Sequence, residues 1–297
     1  MLLKKIRSLA FRSAPTPVRE PLAIDKLGFD IVHGCQLRCV GCPNSTLKPK
    51  IKQIEPEDFG RALANIDVTA VNLFRLFNFG EPLLHERLPE ILLQIPKQRW
   101  RARIVEISTN AQYHGFEVLA EAFKTEVLTR LNVSCDGDGT PEDYERLRPP
   151  GKWDKLMSFM RKARELRDRY APSMALMTRT ICTDSIARQR WREMLEPMGF
   201  AVEFRDWQYL PESSSNMLTR PLAVPDGVCT FIKPGNRLYV DWDGTVVPCC
   251  VHPRAAVFGN LLEQRYSEIL AGTRREEIIR TMLVNRHGMK ICNECEY

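Results

Sequence analysis

The sequence has no apolar run approaching the ~20 residues that cross a bilayer, so a membrane-spanning helix is excluded. It also lacks the apolar core of a secretion signal. Within the basic opening "MLLKKIRSLAFRSAPTPVREP" the stretch "SLAF" is too short to serve as one. Neither sign of charge dominates: 43 basic against 37 acidic residues leave a net charge of +6. No Arg/Lys stripe interleaved with aromatics marks a nucleic-acid surface. The mixed run "RKARELRDRY" (161–170) reads as a solvated helix face. Residues 1–24 are expected to form a basic arm, a short helix and then a Pro-rich lead into the fold. The expected location is the cytoplasm.

What the chain has is cysteine. Ten of them, with no secretion signal, point to metal or catalysis rather than to disulfides. "HGCQLRCVGCPN" (33–44) holds Cys35, Cys39 and Cys42. A disulfide would strand one of the three thiols. A zinc site wants four ligands, commonly taken as two separated pairs. Packing rarely needs three cysteines in one loop. Three thiolates on an iron–sulfur cluster fit the count, and leave open a position that most clusters close with a fourth cysteine.

The middle of the chain alternates strand and helix signals. Strands are expected over 26–34, 70–80, 102–110, 128–137, 174–183 and 201–210, with helices over 56–66, 86–95, 115–124, 152–170 and 184–198. Six such strands predict a parallel α/β sheet. The loops after the strands then gather at its C-terminal edge, where active sites of such folds lie. "HGCQLRC", "NFGEP", "STNA" and "SCDGDG" all fall there.

Cys35-x3-Cys39-x2-Cys42 after the first strand resembles the signature of the radical S-adenosylmethionine (SAM) enzymes. "FGEP" (79–82) is similar to that family's GGEP motif, with Phe79 for the first Gly. "STNA" and "VSCDG" resemble its next rim segments. The resemblance covers about residues 25–210 and implies a partial (β/α)6 barrel. It implies that Cys35, Cys39 and Cys42 hold a 4Fe-4S cluster whose open iron is chelated by SAM. Glu81 would accept from the SAM amine, and Gly80 would allow close backbone approach. Ser134 and Asp136, two apart on a strand end, face one side and would reach the ribose or the carboxylate. Thr109 and Asn110 are weaker candidates. Two plainer roles compete: Glu81 as a helix cap and Asp136 as a turn residue. Gly41 departs from the family pattern, in which an aromatic often precedes the last cysteine; adenine stacking is then weaker or supplied elsewhere.

The last quarter carries Cys229, Cys249, Cys250, Cys292 and Cys295. "NRLYVDWDGTVVPCC" reads as strand, Asp-Gly turn, strand. The spacing Cys229-x14-Gly244-x4-Cys249 with the closing Cys292-x2-Cys295 resembles the twitch domain, the short form of the SPASM extension. One auxiliary 4Fe-4S cluster is implied, on Cys229, Cys249, Cys292 and Cys295, within a hairpin-plus-helix domain. A zinc knuckle is the structural alternative. The expected organisation is an arm (1–24), a barrel (25–215) and an auxiliary-cluster domain (216–297). Cys135 is expected to pack as a small hydrophobe, and Cys182 to pack in the core rather than face the barrel mouth. Of Cys249 and Cys250, one is needed as ligand; adjacent strand residues point opposite ways, so the other is available as a hydrogen-atom donor.

The resemblance implies reductive cleavage of SAM to a 5′-deoxyadenosyl radical that takes hydrogen from an unactivated C–H. The expected substrate is an amino-sugar or aminoglycoside-type carbohydrate, epimerised at a carbinol carbon with a cysteine donor. Asp138, Asp206 and Glu212 would hold its ammonium groups. The alternative is dehydrogenation, with the auxiliary cluster as electron acceptor and Arg205 or Asp206 as base. Peptide modification is a third reading, weakened because no leader-binding segment fits before Cys35. The superfamily's molybdenum-cofactor cyclase ends in Gly-Gly and uses three cysteines on its auxiliary cluster; this chain ends Cys-Glu-Tyr. A two-cluster electron-transfer protein is the non-enzyme alternative, and it gives Glu81 no purpose. A flavodoxin or ferredoxin is the expected one-electron reductant.

Overall fold

Strand follows helix along the chain because apolar stretches of period two alternate with capped amphipathic stretches of period 3.6. The computed structural model describes residues 23–113, 115–213, 216–218, 223–232, 235–252 and 254–297. The expected N-terminal arm lies almost wholly outside them.

Six strands, β1 (Ile24–Phe29), β2 (Ala70–Arg75), β3 (Arg101–Thr109), β4 (Arg130–Ser134), β5 (Ala175–Ile181) and β6 (Ala201–Arg205), pair in chain order, all parallel. This is the six-stranded α/β arrangement the sequence predicts. Three more strands extend the sheet beyond β1: β7 (Arg237–Val240), β8 (Thr245–Val247) and β9 (Gly259–Asn260). β7 runs parallel to β1, Lys26 opposite Arg237, and turns back antiparallel into β8. The auxiliary hairpin is thus continuous with the main sheet. Its Asp-Gly turn places Gly244 at φ +81°, a conformation glycine adopts without strain.

Helices cover one face. Phe29 meets Phe59 edge-on at 5.0 Å, and Phe74 meets Trp100 at 5.8 Å. The helix Trp153–Tyr170 buries Leu156, Phe159, Met160, Ala163 and Leu166, the stripe expected of an amphipathic helix against a sheet. Pro56 with Glu57 and Asp58 opens the helix Pro56–Ala64, where a missing N–H and acidic side chains suit the orphan donors. On the opposite, inner face stand Lys26, Arg75, Glu106, Arg130 and Arg179.

Several boundaries differ from the sequence reading. The first strand ends at Phe29, because Asp30 turns its carboxylate into the backbone of the 78–80 loop. Val32–His33 then pairs separately with Lys52–Gln53. The helix expected over 86–95 is only Leu88–Leu92, with 3-10 turns at Pro82–Leu84 and Ile95–Lys97, where prolines interrupt it. The helix Pro141–Leu147 was not anticipated, nor was the length of the C-terminal helix Thr273–Asn285. No helix among the described residues is long and apolar enough to cross a membrane.

Candidate active site

The three-cysteine loop sits over the C-terminal edge of the sheet, pinned from two sides. The N–H groups of Arg38 and Val40 donate to the carbonyls of Pro149 and Leu147 at 2.6 and 2.8 Å. The Asn44 side chain donates to the Phe79 carbonyl at 2.9 Å, tying the cysteines to the FGEP segment. Cys35 Sγ accepts from the Leu37 N–H at 3.4 Å and from Asn110 Nδ2 at 3.3 Å. Such donors stabilise thiolate and tune a bound cluster. Burial pushes the thiols up, Cys35 to about 12 and Cys39 to about 11. Arg148 opposes this at Cys39.

The FGEP segment is built from beneath. Asp30, fully buried, accepts the N–H groups of Asn78, Phe79 and Gly80 at 2.6, 3.0 and 3.1 Å. Desolvation raises its carboxyl to about 6 against those three bonds. A Cβ on Gly80 would lie 1.7 Å from the Val32 carbonyl oxygen, so the close approach that needs glycine is to the first strand's own extension. Glu81 is 3% exposed. It accepts from Leu83 N–H at 3.1 Å and from Asn110 N–H at 2.7 Å. It therefore caps the short turn after it, as the plainer reading expected, and also spans to the loop after β3. Burial raises it to about 7.

Ser134 closes β4, and Asp136 lies two residues beyond it. Ser134 Oγ lies 3.4 Å from Ser108 Oγ. Asp136 accepts from Ile181 N–H at 3.1 Å and is ion-paired with Arg148, both buried. Arg148, which the sequence reading missed, stands beside Cys39 and Asp136. Its only signal was an arginine before a Pro-Pro pair. Thr109 closes β3, and its hydroxyl accepts from Ala111 N–H at 3.0 Å. Over Gly41 lies Trp207: the ring's Cζ3 is 3.7 Å from where a Gly41 Cβ would be.

The second group of cysteines lines a pocket beside the auxiliary hairpin. Cys229, Cys249, Cys292 and Cys295 line one small pocket, walled by Phe231, Ile232 and Met282. Burial raises Cys249 to about 12 and Cys292 to about 11, and the charge of Cys229 adds to both. Phe231 N–H donates to Cys229 Sγ at 3.4 Å, and Arg286 braces the carbonyls of Cys292 and Cys295. Four thiols around one apolar pocket fit a cluster closed by protein ligands. Cys250 is not among them. Its thiol faces Tyr239, Lys26 and Arg75 on the inner face of the sheet. Cys135 is fully buried, and Cys182 lies in the core.

Each of the rim acids expected to hold ammonium groups has a cation of the chain beside it. Asp206 meets Arg188 at 2.7 Å, Glu212 meets Lys290 at 3.0 Å, and Asp138 lies 3.7 Å from Arg190. Arg205 is paired with Glu203 and half exposed. Neither Arg205 nor Asp206 is a free base.

Comparison with known proteins agrees with this geometry. Residues 30–178 match the Radical SAM superfamily, and residues 229–296 match SPASM, an iron–sulfur cluster-binding domain. A curated relative from Archaeoglobus fulgidus, named as a probable GTP 3',8-cyclase, is 25% identical over 76% of this chain and 86% of its own length. The crystal structure of BtrN in complex with AdoMet and 2-DOIA is 18% identical, with a TM-score of 0.55 over 94% of both chains. The structure of anSMEcpe with bound AdoMet is 17% identical, with a TM-score of 0.60 over 93% of this chain and 85% of that one. At such identities the two structures speak to fold alone. The chain belongs to the radical SAM superfamily, with a SPASM-type auxiliary domain, and uses SAM and two 4Fe-4S clusters.

Proposed function

We propose that the chain takes a hydrogen atom from a carbinol C–H of a hydroxylated, carbohydrate-like small molecule and returns one from Cys250 to the opposite face, an epimerisation that is redox-neutral for the substrate. The Cys250 thiyl left behind is restored by one electron from the external one-electron reductant and a proton from solvent. The observation that carries this reading is the division between two adjacent cysteines. Cys249 belongs to the auxiliary cavity; Cys250 faces the inner sheet surface beside Lys26, Arg75 and Tyr239.

SAM with the reduced three-cysteine cluster supplies the abstracting radical. The chain's own residues position and enclose. Glu81 and Asn110 hold the loops after β2 and β3 against Cys35. Asp30 fixes the FGEP backbone. Asp136 orients Arg148 beside Cys39. Burial keeps the Cys250 thiol protonated, the form a hydrogen-atom donor needs.

A second reading is dehydrogenation, in which Cys250 is a bystander and the auxiliary cluster accepts an electron. Four cysteines around one cavity support it as well as they support epimerisation. The curated relatives' printed name adds a third, a cyclisation of a nucleotide.

The deciding experiment is turnover of a carbohydrate panel in deuterated buffer, followed by mass spectrometry, for wild type, Cys249→Ala and Cys250→Ala. Product one deuterium heavier, lost in Cys250→Ala while both clusters are retained, is the expected result. Product two mass units lighter, formed equally by Cys250→Ala, replaces epimerisation with dehydrogenation.

A further inference from the structure

The inner face of the sheet is cationic to a degree that the chemistry above does not need. Glu106 on β3 is fully buried and is shared by three arginines from three strands. Arg75 Nε and Arg130 Nη1 each lie 3.0 Å away, and Arg179 Nη2 lies at 3.5 Å. Glu203 is shared in turn by Arg179 and Arg205. One carboxylate cannot neutralise three guanidinium groups, so positive charge is left over at the centre of the face.

Two more cations join it from the edge where β7 meets β1. Lys26 and Arg237 are register partners and project to the same side. Lys26 is held below its ordinary value by burial and by the charges of Arg75 and Arg237, against opposing influences from Cys250 and, more weakly, Asp25. Arg237 Nε is buried with no hydrogen-bond partner. Like charges drawn together with too little counter-charge cost free energy, and an anion recovers it.

A second observation is independent of charge. Asn132, on β4 between Arg130 and Ser134, is 0% exposed, and neither its Oδ1 nor its Nδ2 has a hydrogen-bond partner. By strand alternation it projects to the same inner face. A buried amide with both ends unsatisfied is costly unless a ligand completes it.

We infer that this face binds an anionic oxygen group of the substrate, a phosphate or a carboxylate, through Lys26, Arg75, Arg179 and Arg237, with Asn132 hydrogen-bonding a neighbouring hydroxyl. The inference rests on the reading of this face as the chamber in which the radical reaction occurs. Arginine pairs offer parallel N–H groups that match such oxygens. The substrate is then an acidic carbohydrate or sugar phosphate rather than a polyamine.

The test is equilibrium binding of glucose 6-phosphate, glucuronate, glucose and glucosamine to the holoenzyme with SAM and no reductant. Wild type is run beside Lys26→Met and Arg237→Met, neither of which orphans Glu106. At least one acid is expected to bind about tenfold tighter than glucose and glucosamine, and to lose about that factor in both variants. Which acid binds tells phosphate from carboxylate. Asn132→Leu is expected to weaken glucose and the preferred acid alike. Glucosamine or glucose binding as tightly as both acids overturns the inference. So does binding of neither acid, or an acid affinity that the two charge variants leave unchanged. Release of 5′-deoxyadenosine on reduction, measured on the same preparations, separates the two levels. Release with failed acid binding removes only the anion site; no release removes the radical reading beneath it.

Discussion

The carboxylate of Glu81 accepts the backbone N–H of Asn110 at 2.7 Å, and the Asn110 side chain in turn donates to Cys35 Sγ at 3.3 Å. Three loops from three strand ends are held by two residues. Glu81→Ala strips the acceptor from two backbone N–H groups in a buried setting, at about 1–3 kcal/mol each. A lower melting temperature and weaker SAM binding are expected, with Glu81→Gln intermediate because one oxygen remains. Equilibrium dialysis with SAM decides; wild-type affinity in Glu81→Ala would remove Glu81 from the cofactor site.

Asp30 gives the fold a pH dependence. Its folded value, about 6, lies above the ordinary 3.8 because burial outweighs three accepted N–H bonds. A raised value means that the folded state holds the proton more tightly than the unfolded chain. The associated stabilisation is therefore fully present below about pH 4 and is lost as pH rises through about 6. Asp30→Asn stays neutral throughout and lacks this slope. The stability of wild type relative to Asp30→Asn should fall by about 1 kcal/mol between about pH 5 and about pH 7, by anaerobic urea unfolding. A gap that widens instead would mean that the three N–H bonds prevail over desolvation.

Much of this was legible in the sequence because the chemistry is local. Cys35, Cys39 and Cys42 lie within one loop, and the FGEP segment follows directly on a strand. The parallel sheet was legible too, since each strand carries its own apolar signal. What was not legible depended on distant partners. Asp30 looked like a strand residue until the 78–80 backbone closed on it. Arg148 follows a helix that went unanticipated. Its partner Asp136 could be assigned to a side of the sheet but not to an ion pair. The acids Asp138, Asp206 and Glu212 read as free because their cations come from other segments. Cys249 and Cys250 could be told apart only once Cys229, Cys292 and Cys295 were seen in one cavity.

Trp207 answers the gap that Gly41 leaves. Gly41 has no side chain and adopts φ +77°, and the indole from the segment after β6 lies over it. If this ring stacks on the adenine of SAM, Trp207→Ala should weaken SAM binding about tenfold, and Trp207→Phe far less, since stacking on one aromatic contributes about 1–3 kcal/mol. Indole fluorescence should also be quenched by SAM in wild type and not in Trp207→Ala. Equal SAM affinity in all three proteins would mean that the indole only fills the space above Gly41.

Arg148 is the last of these positions, and its two roles can be separated. Arg148→Met leaves Asp136 buried and uncompensated, which costs about 3–5 kcal/mol. The pair Arg148→Met with Asp136→Asn removes both charges and should recover most of that loss. The cluster is expected not to recover. Arg148 is the cation that acts on Cys39, and it acts on Cys42 as well. Net charge near the thiolates helps to set the reduction potential. Asp136 acts on Cys39 in the opposite sense but more weakly than Arg148. The double variant, which loses both charges, should therefore fold with full iron content yet show a slightly more negative midpoint for the three-cysteine cluster. An EPR-monitored redox titration reads it directly. An unchanged midpoint in a stable double variant would confine Arg148 to holding Asp136 in the fold.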